Sequence, residues 1–226
     1  MHDIIIALDG YSGCGKSSTA KEVAKALGYT YLDSGAMYRA ATLYFIRNQI
    51  DVQNTQAIDR ALNNIDIHFY RNKETLRNET YLNGENVEEE IRKMEVSEHV
   101  SAVSAIPEVR RKMVKQQRTL GAGRRVVMDG RDIGSHVFPE AELKIFMKAD
   151  LAVRAQRRKK ELEEKGVEVK LEEIERNLAE RDRIDTSRAQ SPLVKVEDAI
   201  EIDTTNLSFS EQVNKIIKLA KELIRK

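Results

Sequence analysis

The stretch Ile4-Ile5-Ile6-Ala7-Leu8-Asp9-Gly10-Tyr11-Ser12-Gly13-Cys14-Gly15-Lys16-Ser17 decides the fold. Ile4 to Leu8 is too short and too uniformly apolar for an amphipathic helix, so it reads as a strand buried on both faces of a parallel sheet. From Lys16 onward Ala20, Val23, Ala24 and Leu27 recur at helical spacing, and Gly28 stands where a C-terminal cap would stop the helix. Between strand and helix, Gly10 to Ser17 fits G-x-x-x-x-G-K-[ST] in full, in the context the motif requires. Glycines let such a loop fold into a nest of inward N–H groups, the helix N-terminus adds the positive end of its dipole, and Lys16 supplies a full charge to β- and γ-phosphates. Gly10, Tyr11, Ser12, Gly13, Cys14, Gly15, Lys16, Ser17 and Ser18 are the expected triphosphate-binding set, with the Ser17 hydroxyl a ligand for Mg²⁺. Cys14 reads either as a redox switch in an electropositive loop or as a small space-filling side chain.

Working outward, apolar runs at Tyr29 to Leu32, Val126 to Met128, Leu143 to Met147 and Ala199 to Ile202 alternate with helical segments. That rhythm predicts βα repeats: an α/β P-loop NTPase fold with about five parallel strands flanked by helices. Asp66 to Val87 breaks it. Ile65, Ile67 and Phe69 alternate with polar residues, Tyr81-Leu82 follows a polar turn, and Asn83-Gly84 is a hairpin signal, so a small antiparallel insert is expected there. Leu151 to Arg188 reads as two charged, arginine-rich helices joined near Gly166, a segment that buries little and can move. Ile216, Ile217, Ala220 and Ile224 form an apolar stripe in the last helix and belong to the core.

The 226 residues suffice for one α/β domain with one or two short insertions rather than a second independent domain. With 38 Lys plus Arg against 37 Asp plus Glu, no global field draws the chain to nucleic acid or membrane. No apolar run approaches the roughly 18 residues of a membrane span, and the start Met1-His2-Asp3 leads straight into a core strand without the look of a signal peptide. The single cysteine excludes an internal disulfide and a Cys-rich zinc site. A cytoplasmic monomer is the expectation. His2, His68, His99 and His136 show no metal-like spacing and receive no role.

A P-loop alone does not choose among ATPases, GTPases, motors and kinases. No Asn-Lys-x-Asp segment for reading guanine is present. Asp33-Ser34-Gly35-Ala36-Met37-Tyr38-Arg39 follows the second strand, where the loops of an open parallel sheet form the ligand crevice. There the Ser34 hydroxyl, the Tyr38 ring and the Arg39 guanidinium suit a nucleotide, although Asp33-Ser34 also makes a good helix N-cap. Asp129-Gly130-Arg131-Asp132 ends another strand, and Asp129 is a candidate to hold Mg²⁺ through water. Arg181, Asp185 and Arg188 fall at i, i+4 and i+7 on one helix face, able to address one ligand or simply to pair with each other for ~0.2–0.5 kcal/mol. Arg154, Arg157 and Arg158 also share a face, whereas Lys159 and Lys160 precede Glu163 and Glu164 by four residues and read as a solvated, paired surface.

In order, the P-loop, Asp33 to Arg39, Asp129-Gly130-Arg131-Asp132-Ile133-Gly134, and Glu180-Arg181-Asp182 with Asp185 and Arg188 resemble the bacterial cytidylate kinases, from the first strand to the final helix. The resemblance implies a P-loop core of residues 1–35, 122–150 and 189–226, a nucleoside-monophosphate-binding region of 36–121 carrying the hairpin, and an arginine-rich lid of 151–188. It implies ATP as donor with Mg²⁺, and CMP with dCMP as acceptors. Ser101, Arg110 and Asp132 would read cytosine, Arg181 and Asp185 the ribose, and Ser34, Arg39, Arg131 and Arg188 the acceptor phosphate end, with Tyr38 beside them. Cytosine offers a donor at N4 and acceptors at N3 and O2, which Ser101, Asp132 and Arg110 can satisfy. Lys16, Arg131, Arg154, Arg157 and Arg158 would surround the transferring phosphoryl group. The rivals are another acceptor on the same fold, such as UMP, AMP or shikimate, and a P-loop switch protein without kinase activity. Against a nucleic-acid-binding switch stands the lack of a basic, aromatic-studded segment.

Overall fold

The computed structural model describes residues 3–72, 78–164 and 166–225. His2, Lys165 and residues 73–77, the polar turn of the expected hairpin, lie outside the described residues.

Five strands form one wholly parallel sheet: β1 (Ile5–Gly10), β2 (Thr30–Asp33), β6 (Val126–Asp129), β7 (Leu143–Lys148) and β8 (Ile200–Asp203), in the order β2-β6-β1-β7-β8. The expected five strands are these, each shifted by at most a residue or two. β1 is buried along its whole length because it lies at the centre of the sheet, which is why its sequence runs apolar without alternation. Asp9, Asp33, Asp129 and Asp203 stand at the C-terminal ends of their strands, with Asp33 opposite Asp129 in register. Functional groups therefore collect along one edge of the sheet, as open α/β sheets arrange them.

The chain forms two compact units, residues 1–33 with 117–226, and residues 34–116. The first holds the parallel sheet with α1 (Lys16–Leu27), α6 (Leu151–Glu163), α7 (Leu171–Ser187) and α8 (Phe209–Ile224). Its core gathers Ile4, Ile6, Leu8, Val23, Val127, Ile145, Met147, Ile202 and Ile216. Gly28 ends α1 in the left-handed conformation, its N–H donating to the helix's last turn. α8 starts with a full capping box between Ser208 and Glu211. The arginine-rich segment is two helices as expected, with Leu162, Ile174 and Leu178 buried among its charges.

The second unit contains α2 (Ser34–Arg47), α3 (Thr55–Asn63), α4 (Met94–Ala105) and most of α5 (Pro107–Gly121). With them is an antiparallel sheet of β3 (Ile67–Arg71), β4 (Asn78–Leu82) and β5 (Glu85–Asn86). Asn83 and Gly84 both take positive φ, 51° and 84°, and join β4 to β5. The insertion is more than a hairpin. Met37, Leu43, Phe45, Ile58, Leu62, Ile67, Ile91, Val96 and Met113 give it a core of its own.

Candidate active site

The P-loop owes its shape to glycines at positions that side chains cannot occupy. At Gly10, φ is 145° and a Cβ would lie 1.9 Å from the Met147 carbonyl oxygen, where β1 runs beside β7. Gly15, φ 88°, precedes α1, and no side chain caps that helix N-terminus, so its first N–H groups are available to an anion. Cys14 is buried, its thiol 3.0 Å from the Tyr11 carbonyl oxygen and 3.5 Å from that of Met147, the contacts of a space-filling residue. The Lys16 ammonium donates to the Tyr11 carbonyl at 2.6 Å. Burial first, and then the positive charge of Arg131, push its pKa below the ordinary lysine value. Ser18 is exposed on the first turn of α1.

The Ser17 hydroxyl donates to Asp129 Oδ2 at 2.8 Å and the Tyr31 hydroxyl to Oδ1 at 2.9 Å. Burial, helped by the nearby Asp33 charge, pushes Asp129 up to about 6. A hydroxyl and a carboxylate side by side are hard oxygen donors of the kind Mg²⁺ accepts together with water and phosphate oxygens. No three His, Cys, Asp or Glu side chains gather among the described residues to cage a metal by themselves. Ser17 and Asp129 thus fit an ion whose remaining ligands come with a nucleotide.

A buried network of ion pairs joins the loop after β6 to α7. Arg131 Nε donates to Asp185 Oδ2 at 2.8 Å, and Arg188 lies 3.4 Å from Asp132 Oδ1 and 3.9 Å from Asp185 Oδ1. Burial alone would raise Asp185, but Arg131, Arg181 and Arg188 together hold its carboxyl below the usual range. Arg181 is lowered to about 10, by burial and then by Arg131, and its Nε has no hydrogen-bond partner. Three arginines around one aspartate leave an excess of positive charge, the electrostatics of an anion site. Asp132 pairs with Arg188, and Arg131 with Asp185. Arg181 and Asp185 lie on α7, and Arg188 is its C-cap, 3.9 Å from Asp185.

Arg154 and Arg157, expected around the transferring phosphoryl group, bond protein groups at and beside the P-loop. Arg154 is buried; its Nε donates to the Ala149 carbonyl at 2.9 Å, and its Nη1 to the Ser12 carbonyl at 2.9 Å and Asp182 Oδ2 at 2.7 Å. Asp182 Oδ1 in turn accepts from the Ser12 N–H at 3.3 Å. Both polar atoms of the Ser12 peptide are therefore held by α6 and α7. Gly13, at φ 76°, takes the left-handed backbone that favours glycine beside this contact. Arg157 donates to the Thr204 carbonyl at 2.6 Å and hydroxyl at 3.2 Å, and that hydroxyl is 3.2 Å from the Cys14 carbonyl. Arg154 thus joins the P-loop directly and Arg157 through Thr204. Arg158 pairs with Glu161 and Lys159 with Glu163, the latter as the spacing predicts.

In the second unit Arg39 Nη1 donates to the Ile91 carbonyl at 2.9 Å and to Ser97 Oγ at 3.0 Å. Arg110 is buried, donates to the Ser104 carbonyl at 3.2 Å and sets its guanidinium 5.5 Å from the Tyr38 ring centroid. Ser101 is buried on α4 and Ser34 opens α2. Sequence reading passed over Asp9, Tyr31, Ser97, Asp182 and Thr204. Of these only Asp182 sat inside a motif already singled out, Glu180-Arg181-Asp182.

Fold and site together define a P-loop phosphotransferase: a glycine-rich loop with its lysine, a Ser–Asp pair of hard oxygens beside it and a second set of arginines. The cytidylate kinase family profile matches residues 6–222. A cytidylate kinase of Cytophaga hutchinsonii is 57% identical over 220 residues, covering 97% of this chain and 94% of that one. One of Flavobacterium johnsoniae is 48% identical over 228 residues, covering 100% and 99%. Among solved structures, an uncharacterized protein of Eubacterium ventriosum superposes with a TM-score of 0.51 at 13% identity, covering 98% of this chain and 99% of that chain, a likeness of fold alone. The chain belongs to the cytidylate kinase family.

Proposed function

We propose that this protein transfers the γ-phosphoryl group of ATP to CMP and dCMP, giving ADP and the corresponding diphosphate. The observation that carries the reading is the complete P-loop together with the Arg131–Asp185 and Arg188–Asp132 pairs, in a chain matched by its family almost end to end.

ATP takes the P-loop. Lys16 exchanges the Tyr11 carbonyl for the β- and γ-phosphate oxygens, and the free N–H groups at the start of α1 face the same charge. Ser17, and Asp129 through water, would hold Mg²⁺, which when bound would neutralise charge on those phosphates. Ser101, Arg110 and Asp132 are assigned to cytosine, Arg181 and Asp185 to ribose, and Ser34, Tyr38, Arg39, Arg131 and Arg188 to the acceptor end. An acceptor phosphate oxygen attacks the γ-phosphorus in line as the bond to the bridging oxygen of ADP breaks. Arg131 and Arg158 face the spreading charge, and Arg154 and Arg157 act by keeping the P-loop in shape. Residues 151–188 act as a lid that excludes water, residues 36–121 as the acceptor-binding region, and residues 1–35, 122–150 and 189–226 as the core. Among the described residues no helix is long and apolar enough to cross a membrane, and a cytoplasmic monomer fits this reading.

A coupled ADP-release assay across CMP, dCMP, UMP, AMP and GMP tests it. CMP and dCMP should dominate; equal turnover of all five would remove the base-reading assignment, and stimulation by RNA but not by CMP would favour a switch protein.

A further inference from the structure

The loop carrying Arg131 and Asp132 is fixed at both ends by consecutive residues of β1. At its entry, the Gly130 N–H donates to the Leu8 carbonyl at 2.9 Å. At its exit, the Asp9 carboxylate accepts from two successive peptides, Oδ1 from the Ile133 N–H at 2.8 Å and Oδ2 from the Gly134 N–H at 2.7 Å. The first anchor is a backbone carbonyl that any residue supplies. The second is written in the side chain. A Cβ at Gly134 would press on Lys144 Cγ at 3.2 Å but meet Asp9 Oδ2 at an ordinary 3.4 Å, so the grip comes from the hydrogen bonds and not from lack of space. Beyond it, residues 133–137 form a single π-helical turn whose His136 and Val137 N–H groups donate to the Asp132 carbonyl. Asp9 thus grips the N-terminal donors of the turn that follows Asp132.

Such a grip has a consequence for the side chains of the loop. Arg131 reaches Asp185 at 2.8 Å, and Arg188 lies 3.4 Å from Asp132, so a displacement of the loop backbone would disturb both pairs. Two short hydrogen bonds accepted by the two oxygens of one carboxyl group, from successive peptides, form a directional fork. Asp9 itself is buried, and it is the residue immediately before the phosphate nest.

We infer that Asp9 is a positioning residue for the acceptor nucleotide: its carboxylate fixes the exit of the 130–134 loop so that Arg131 and Asp132 present their charges to CMP in register. The inference rests on the assignment of Arg131 and Asp132 to CMP. No group of Asp9 need touch substrate.

Asp9→Asn tests this with nearly unchanged shape, because one arm of the amide becomes a donor and faces an N–H it can no longer accept. Expected is a rise of at least tenfold in the KM for CMP and a narrowed CMP to UMP preference. The KM for ATP and the affinity for a fluorescent ADP analogue should stay within about twofold. A fall in melting temperature with unchanged KM for CMP would overturn the inference by making Asp9 merely structural. An equal or larger rise in the KM for ATP would overturn it by assigning Asp9 to the P-loop. Should Asp9→Asn not fold, Asp9→Glu keeps the carboxyl but lengthens its arm and displaces the fork, and a KM for CMP equal to wild type in that variant would count against the inference. Arg131→Ala is run alongside. If that variant leaves the KM for CMP unchanged, the assignment of the loop to CMP fails; if it raises it and Asp9→Asn does not, only the present inference fails.

Discussion

Asp132 and Arg188 are both buried, 2% and 9% exposed, and lie 3.4 Å apart, so each offsets part of the cost of burying the other's charge. Asp132 therefore has two candidate duties, reading the cytosine N4 amino group and holding Arg188. They separate on mutation. In Asp132→Asn the amide can turn its NH₂ toward uracil O4, which relieves an acceptor–acceptor clash, so kcat/KM for CMP should fall more than that for UMP. One mispaired buried polar contact is worth ~1–3 kcal/mol, so the CMP to UMP ratio should drop by about tenfold. Parallel losses with an unchanged ratio would leave Asp132 as the keeper of Arg188 alone. At this scale the sequence was legible where chemistry is local: the P-loop spacing named Lys16 and Ser17 at once. It was illegible where the partner lies far along the chain. Ser12 meets Asp182 across 170 positions and Ser17 meets Asp129 across 112, and no spacing rule reports such pairs.

α6 and α7 were read from charge pattern as a loosely held lid, and their sequence does put few apolar residues between them. Beside the few buried apolar residues, polar contacts tie them to the P-loop. Arg154 on α6 and Asp182 on α7, 2.7 Å apart, close around the Ser12 peptide from both sides, so the helix pair is fastened to the loop that holds the triphosphate. Any movement of these helices must either carry residues 11–13 or break that pair. Asp182→Asn keeps an acceptor for the Ser12 N–H but strips the charge opposite Arg154, and leaving a buried guanidinium unpaired typically costs about 3–5 kcal/mol, less here because two backbone carbonyls still hold it. The variant should melt several degrees lower, and its KM for ATP should rise severalfold while the KM for CMP changes less. A KM for ATP equal to wild type would show the fastening to be irrelevant to nucleotide binding. The strand-and-turn elements were readable because a parallel core demands continuous apolar runs and Asn83-Gly84 supplies the two positive φ angles of a tight turn. α4 and α5 were not, because burying Ser97, Ser101, Ser104, Arg110 and Gln117 removes the clean amphipathic stripe by which helices are recognised.

Across the whole molecule, two buried carboxylates work against stability near neutral pH. Asp9 is raised to about 7, by burial against the pull of its two backbone donors, and Asp129 to about 6, by burial and then by Asp33. In the unfolded chain both titrate near 3.8. Between those limits the folded protein binds protons that the unfolded chain has released, so the stability linked to these groups is complete below about 4 and is lost as pH rises through 6 to 7. Asp185, held low by three arginines, acts in the opposite sense, its contribution being present above about 4 and lost in acid. The lowered carboxylates Glu85, Glu108, Glu180, Asp203 and Glu211 lie on the surface, where solvent screens them. The two tendencies occupy different windows, which places maximum stability on the mildly acidic side of neutrality in metal-free, nucleotide-free buffer. A single group protonated only in the folded state changes stability by ~1.4 kcal/mol per pH unit, so Asp9 alone should contribute on the order of 1–2 kcal/mol between pH 5.5 and 7.5. Urea unfolding at those two pH values should find wild type less stable at the higher one, and Asp9→Asn, which has no proton to release there, should show a visibly smaller drop. If wild type and variant lost stability equally over that interval, Asp9 would be ionised throughout, its two backbone hydrogen bonds offsetting its burial in full.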